Sequence, residues 1–156
     1  MAAEDNGADL EMMNAAPLIV KAQYIKDFSF EMPGAPAIFE KLDTEPDIEV
    51  QINVQPDELG DNNYEVLIIE AKASIRDEIA FIVELEYAGL FELDSSVPGE
   101  YVGSIVLVEC PRMLFPFARN IIASATKESG MPPLMLQPID FNAIVAAQMT
   151  QGSGNA

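Results

Sequence analysis

The groups able to do acid–base or metal chemistry in this chain are almost all carboxylates. The sequence has 26 Asp and Glu residues and no histidine, so the commonest general base and metal ligand is missing. Carboxylates can pair as in glycosidases or bind calcium, but no EF-hand loop occurs. An acidic, solvated surface explains the many carboxylates better than a catalytic pair or a calcium site does. We therefore predict that the protein is not an enzyme and needs neither metal nor cofactor.

The only thiol, that of Cys110, is the other candidate nucleophile. A cysteine nucleophile is usually activated by a nearby histidine, which this chain lacks. No G-x-G-x-x-G, Walker A or G-x-S-x-G motif occurs either. One cysteine allows no internal disulfide, which fits a reducing cytoplasm. The sequence thus predicts a cytoplasmic protein without nucleophilic catalysis.

Charge is divided unevenly along the chain. Of the 26 acids, 24 precede Pro111, with five of the eight bases, so this part carries −19 and the remainder +1. Nucleic acids need clustered Lys and Arg, so we predict no nucleic-acid partner. An acidic surface favours basic partners.

The start of the chain lacks the features of a signal peptide. No apolar run approaches the ~18–20 residues of a membrane span, so we expect no membrane insertion.

Four segments alternate with the period of two that is typical of half-buried strands. They are residues 23–31, 48–55, 64–75 and 79–91. In the first, the pattern groups Tyr24 with Phe28 and Phe30, opposite Asp27 and Glu31. Short turns join the last three segments into an antiparallel meander. A long connection lets the first strand return beside the last, which predicts a four-stranded antiparallel sheet with Greek-key order 1-4-3-2.

Helices are predicted after Pro98. One or two turns would reach Glu109, where Pro111 would break the helix. The main helix, residues 112–128, is apolar nearly all round, which predicts burial on more than one side. One sheet can cover only one side, so we predict that Phe117 and Ile121 face another subunit.

A short amphipathic helix is predicted near the C-terminus. Gly130 would end the long helix, and Asp140 would cap the short one, residues 141–149. Its apolar stripe would contain Phe141, Ile144, Val145 and Met149. The prediction is an α+β fold with both helices packed on one face of the sheet. Residues 1–18 would be a disordered acidic leader, 19–150 a single domain and 151–156 a flexible tail.

Two surfaces are candidates for binding. The alternation places one set of residues outward on the first and last strands: Asp27, Glu31, Ile82, Glu84 and Glu86. These strands would be neighbours in the predicted order. The apolar and proline-rich segments 32–42 and 131–149 could form a groove. The alternative for the outward residues is a face that only keeps the protein soluble. The alternative for the two apolar segments is ordinary packing within the fold.

Four segments in register resemble the SecB protein-export chaperone family. They are QYIKDFSFEMPGAPAIF, FIVELEYAGLF, ECPRMLFPFARNII and PPLMLQPIDF. The resemblance implies an ATP-independent cytosolic chaperone that binds unfolded precursor proteins and keeps them export-competent. It also implies a homotetramer, built as a dimer of dimers, that delivers its clients to the translocation ATPase SecA.

The resemblance further implies roles for particular residues. The positions that match the SecA-docking surface are Asp27, Glu31, Ile82 and Glu84. The substrate groove would include Phe39, Phe141 and Val145. Two alternatives stay open: a SecB-like chaperone of a toxin–antitoxin system, and a sheet-plus-helix ligand carrier.

Overall fold

The protein is built on one antiparallel sheet. The computed structural model describes residues 17–43, 45–75 and 78–153, with side chains described except at 67–75 and 151–153. The strands are β1 (Leu18–Glu31), β2 (Asp47–Gly60), β3 (Asn63–Ile75) and β4 (Glu78–Leu93). Their order is β1-β4-β3-β2, and every neighbouring pair is antiparallel. The predicted sheet and its order are confirmed.

A short 3-10 turn, Ala37–Lys41, lies in the connection between β1 and β2, and helices follow β4. They are α1 (Gly99–Ser104), a π-helical turn (Ile105–Glu109), α2 (Cys110–Glu128) and α3 (Phe141–Ser153). The first three form one continuous helix, so the predicted break at Pro111 is wrong. The π-helical turn directly precedes the proline, and the Cys110 amide donates to the carbonyl of Ile105. This wider turn makes room for a ring that would clash in a regular α-helix.

The core lies between α2 and the face of the sheet that it covers. Leu114, Ala118 and Ile122, spaced by four residues, are completely buried, and the helix contacts β3 and β4. The closest approach is at Gly89 of β4. A Cβ atom there would lie 2.4 Å from the ring of Phe91 and 2.8 Å from Leu114, so a side chain would force the helix away.

The continuous helix Gly99–Glu128 also meets the length and composition requirements of a membrane span, with a mean hydropathy of 1.3 over its most apolar window. A core helix meets the same requirements, so this property alone is a weak argument for a membrane. The packing of α2 against β4 accounts for the apolar side that faces the sheet.

The C-terminal part follows the prediction in outline. Gly130, with φ of 85°, ends α2. The Asp140 carboxylate accepts hydrogen bonds from the amides of Asn142 and Ala143, which confirms the predicted N-cap. The apolar stripe is wrong at Met149, which is 70% exposed. Helix α3 continues to Ser153, into the segment expected to be a tail, and β1 begins at Leu18. The rest of the expected leader, residues 1–16, lies outside the described residues.

Strand β1 contains two bulges, and the extra residue in each is a lysine. The register with β4 shifts between Val20 and Ala22 and again between Ile25 and Asp27, which leaves Lys21 and Lys26 as the extra residues. Each bulge inverts the alternation of faces. Tyr24 therefore lies on the outer face of the sheet, away from the helices, and its predicted grouping with Phe28 and Phe30 is wrong.

Candidate functional site

An open groove of about 670 Å³ lies on the helix-covered face, at the β2 edge of the sheet. Its apolar lining comes from three elements: β2, the connection between α2 and α3, and α3. The lining residues are Ile48, Val50, Ile52, Leu134, Met135, Leu136, Gln137, Pro138, Ile139 and Ile144. Such a lining suits an apolar ligand segment.

Strand β2 supplies one side of this groove because it is an edge strand. Ile48 and Val50 pair with Ala73 and Ala71 of β3, which places them on the same face as the core. They nevertheless remain 42% and 38% exposed. The inward-facing side chains of β2 therefore form an exposed apolar surface at this edge.

The other side of the groove is tied to α2 by a buried hydroxyl. Thr126 is completely buried, and its Oγ1 lies 3.0 Å from the carbonyl oxygens of both Ile122 and Ala123. The same oxygen accepts a 2.8 Å hydrogen bond from the amide of Leu134. Sequence reasoning missed Thr126. The available signal was a polar residue on the apolar helix, close to a proline-rich segment whose amides need partners.

The predicted groove residues are separated by the structure. Phe39 is 40% exposed and lies beside Gly130, outside the residues that line the groove. Phe141 is 1% exposed and packs edge-on against Phe115, so it belongs to the core of the protomer. Val145 is partly buried against the core, whereas its neighbour Ile144 lines the groove.

The predicted docking residues are brought together on the outer face. Glu31 pairs directly with Ile82, while Asp27 faces Glu86 and Ser29 faces Glu84. The acids at positions 27, 31, 84 and 86 are exposed. We call Asp27, Glu31, Ile82, Glu84 and Glu86 the acidic face. Like charges directly opposite each other destabilise a sheet, so fold stability does not explain the pairing of Asp27 with Glu86.

A polar cluster on the outer face joins β1 to β3 across β4. The carboxylate of Glu65 accepts hydrogen bonds from the Tyr24 hydroxyl and from the Lys26 ammonium group, the latter at 2.5 Å. The bonds from Lys26 and then Tyr24 hold the pKa of Glu65 below its usual value. Burial, followed by the bond to Glu65, raises the pKa of Tyr24 to about 12. Glu65 is therefore an ionised acceptor at neutral pH.

The long helix also leaves large apolar side chains uncovered. Phe117 is 52% exposed and stacks on Tyr87, with ring centroids 6.3 Å apart. Tyr101 and Met113 of the same helix are also exposed. Ile121, the second predicted interface residue, is partly buried against the core.

The thiol of Cys110 is buried in the core. Burial, followed by the nearby Glu109 carboxylate, raises its pKa to about 12. A thiol that stays protonated at neutral pH is a poor nucleophile. Cys110 therefore contributes to packing.

The fold is that of a SecB-like chaperone. A solved structure described as the Mycobacterium tuberculosis Rv1957 SecB-like chaperone, in complex with a ChAD peptide from the Rv1956 HigA1 antitoxin, matches with a TM-score of 0.61. The match covers 88% of this chain and 98% of that chain. Their sequences are 17% identical, so this likeness concerns the fold.

Sequence comparison identifies the family. The model of preprotein translocase subunit SecB matches residues 11–152. A protein-export protein SecB of Rhodopseudomonas palustris (strain BisB5) is 50% identical over 137 residues, covering 87% of this chain and 86% of its own. The protein-export protein SecB of Rhodospirillum centenum is 44% identical over 153 residues, covering 97% of this chain and 91% of its own. The chain belongs to the SecB family, which is a family of chaperones and not of enzymes. The resemblance is confirmed, and the toxin–antitoxin and ligand-carrier alternatives are not favoured.

Proposed function

We propose that this chain is a cytoplasmic, ATP-independent chaperone that holds unfolded precursor proteins in its groove and delivers them to SecA at its acidic face. The observation that carries the proposal is the separation of the two surfaces. The groove lies on the helix-covered face of the sheet, and the acidic face lies on the opposite side. Because the groove and the acidic face lie on opposite sides of one sheet, a client bound in the groove leaves the acidic face open.

The chemistry of the groove supports apolar clients. The sequence has no nucleotide-binding motif, so binding must rely on the affinity of the groove itself. Each Å² of apolar surface buried contributes roughly 25 cal/mol, less the entropic cost of ordering the client. Exposed Met135 and the partly covered β2 side chains provide such a surface.

Client binding should therefore need no nucleotide and should resist salt. At ~0.5 M salt the Debye length falls to a few Å, which screens charges but not apolar contacts. Calorimetric titration of an unfolded client at low and high salt checks this. If binding disappears at high salt, electrostatic attraction holds the client and the apolar groove is not its site.

We also propose a homotetramer, built as a dimer of dimers. The support is the uncovered side of the long helix. Only 39% of its most apolar eighteen-residue stretch is buried in the protomer, and Phe117 stays 52% exposed although it stacks on Tyr87. Apolar patches of this kind usually mark contacts between proteins.

Phe117→Asp should dissociate the tetramer, because the interface would bury an unpaired charge. The protomer should stay folded, since position 117 is half exposed. Light scattering measures the mass, and circular dichroism checks the fold. The control is Gln51→Asp, which puts the same charge on an exposed position of β2. A monomeric wild-type protein at micromolar concentration would contradict the proposed assembly.

A further inference from the structure

We infer that Lys26 is a positioning residue: through Glu65 it holds the β1 bulge next to Asp27 and so fixes the position of Asp27 on the acidic face. The inference rests on the proposed SecA docking and assigns a role to a basic residue that does not itself add to the acidic surface. The bulge, the contacts of Lys26 and the weak packing around it support the inference.

The bulge puts Tyr24 and Lys26 on the same side of the sheet as Asp27. Alternation counted back from the packed Phe30 keeps Asp27 and Glu31 outward, but without an extra residue it would turn Lys26 inward and Ile25 outward. Because Lys26 is the extra residue, Ile25 instead pairs with Tyr87 on the helix-covered face, and Lys26 reaches Glu65 on the outer face. The course of the backbone next to Asp27 therefore depends on the bulge staying at position 26.

Apolar packing holds this bulge only weakly in the protomer. Its nearest helix-side neighbours, Ile25 and Phe28, are 51% and 39% exposed. The first firmly packed side chain beyond it is Phe30, which stacks on Phe81 with ring centroids 5.6 Å apart. Apolar packing therefore holds β1 firmly at Phe30 but only weakly at the bulge.

Polar contacts hold the bulge from the outer face. Lys26 lies within 2.5 Å of Glu65, and Tyr24 donates to the same carboxylate. Glu65 belongs to β3, so both contacts cross the intervening strand β4. They pass near Ala88, which faces Tyr24 and is completely buried. The Glu65 side chain is 15% exposed and that of Lys26 is 43% exposed, so solvent reaches this ion pair mainly from the lysine side.

The second bulge of β1 supplies a matched control. Lys21 also makes two polar contacts, a 3.2 Å ion pair with Glu92 and a 2.7 Å hydrogen bond to Asn63. It lies at the opposite end of β1 from Asp27 and Glu31. Replacing either lysine by methionine makes the protein more negative by one charge. If charge alone governed docking to a basic partner, both variants would bind at least as tightly as the wild type.

The test is a titration of SecA against the wild type and the variants Lys26→Met, Lys21→Met and Lys26→Arg. We expect Lys26→Met to weaken binding about tenfold, which corresponds to ~1.4 kcal/mol. Lys21→Met should bind as the wild type does or tighter, and Lys26→Arg should retain most of the affinity. Binding by Lys26→Met equal to or tighter than the wild type would overturn the inference, as would an equal loss in Lys21→Met.

Amide hydrogen exchange provides a readout that does not depend on SecA. The amides of residues 26–28 should exchange about tenfold faster in Lys26→Met and at the wild-type rate in Lys21→Met. Asp27→Asn serves as the reference for the docking proposal. If that variant keeps full SecA affinity, the docking proposal fails and exchange alone decides the role of Lys26. Unchanged exchange in Lys26→Met would overturn that role.

Discussion

Replacing Val50 with aspartate should weaken the binding of an unfolded client about a hundredfold, which corresponds to ~2.7 kcal/mol. Val50 lies within the groove, between Ile48 and Ile52, and is 38% exposed. A client segment that fills the groove would remove water from the new carboxylate, and an unpaired buried charge costs several kcal/mol. The apolar contacts of valine would be lost as well.

Fluorescence titration of a denatured client measures this effect. Gln51→Asp is the matched control, because it adds the same charge to the next residue of β2, which alternation places on the opposite face. Tetramer mass and SecA affinity should be unchanged in both variants. Equal client affinity for the two variants would show that clients bind elsewhere.

Neutralising the acidic face should have the second large effect, on SecA binding. Removing a charge whose basic partner becomes desolvated on docking costs about 2–5 kcal/mol. Asp27→Asn and Glu84→Gln should therefore weaken SecA binding sharply and reduce its dependence on salt. Folding should be unaffected, because exposed acids seldom stabilise a fold by more than ~1 kcal/mol. Asp27→Asn also removes a repulsion with Glu86, its direct neighbour on β4.

Titration against SecA at two ionic strengths, beside a client-aggregation assay, separates docking from client holding. Glu100→Gln is the control, since it neutralises an exposed acid on α1, away from the sheet. The aggregation assay should give the same result for all four proteins. Equal SecA affinity in all of them would mean that the acidic face is only a solvated surface.

The order of the strands could be predicted from the sequence because each strand carries a clear alternation and the connections differ in length. The faces of β4 could be predicted for the same reason: Phe81, Val83 and Leu85 are buried as expected. In β1 the alternation failed at Tyr24. Bulges at Lys21 and Lys26 insert residues that a strict period of two cannot represent.

Two other features depend on tertiary context. The π-helical turn before Pro111 has no simple sequence signal, so the rule that proline breaks a helix gave the wrong result. The β2 side of the groove was missed for a different reason. Alternation predicts which face Ile48 and Val50 occupy, but not that the helices leave this edge of the sheet uncovered. The outward placement of the acidic face followed from alternation and strand order, whereas the predicted docking role of Asp27, Glu31, Ile82 and Glu84 needed the family resemblance.

The central claim is that this chain holds unfolded proteins in an apolar groove without nucleotide. The most direct test is light scattering of a denatured client diluted into nucleotide-free buffer, alone, with the wild type, or with Val50→Asp. We predict that the wild type suppresses aggregation near stoichiometric concentration and that Val50→Asp does not. Aggregation that proceeds equally with and without the wild type, or equal suppression by both proteins, would contradict the claim.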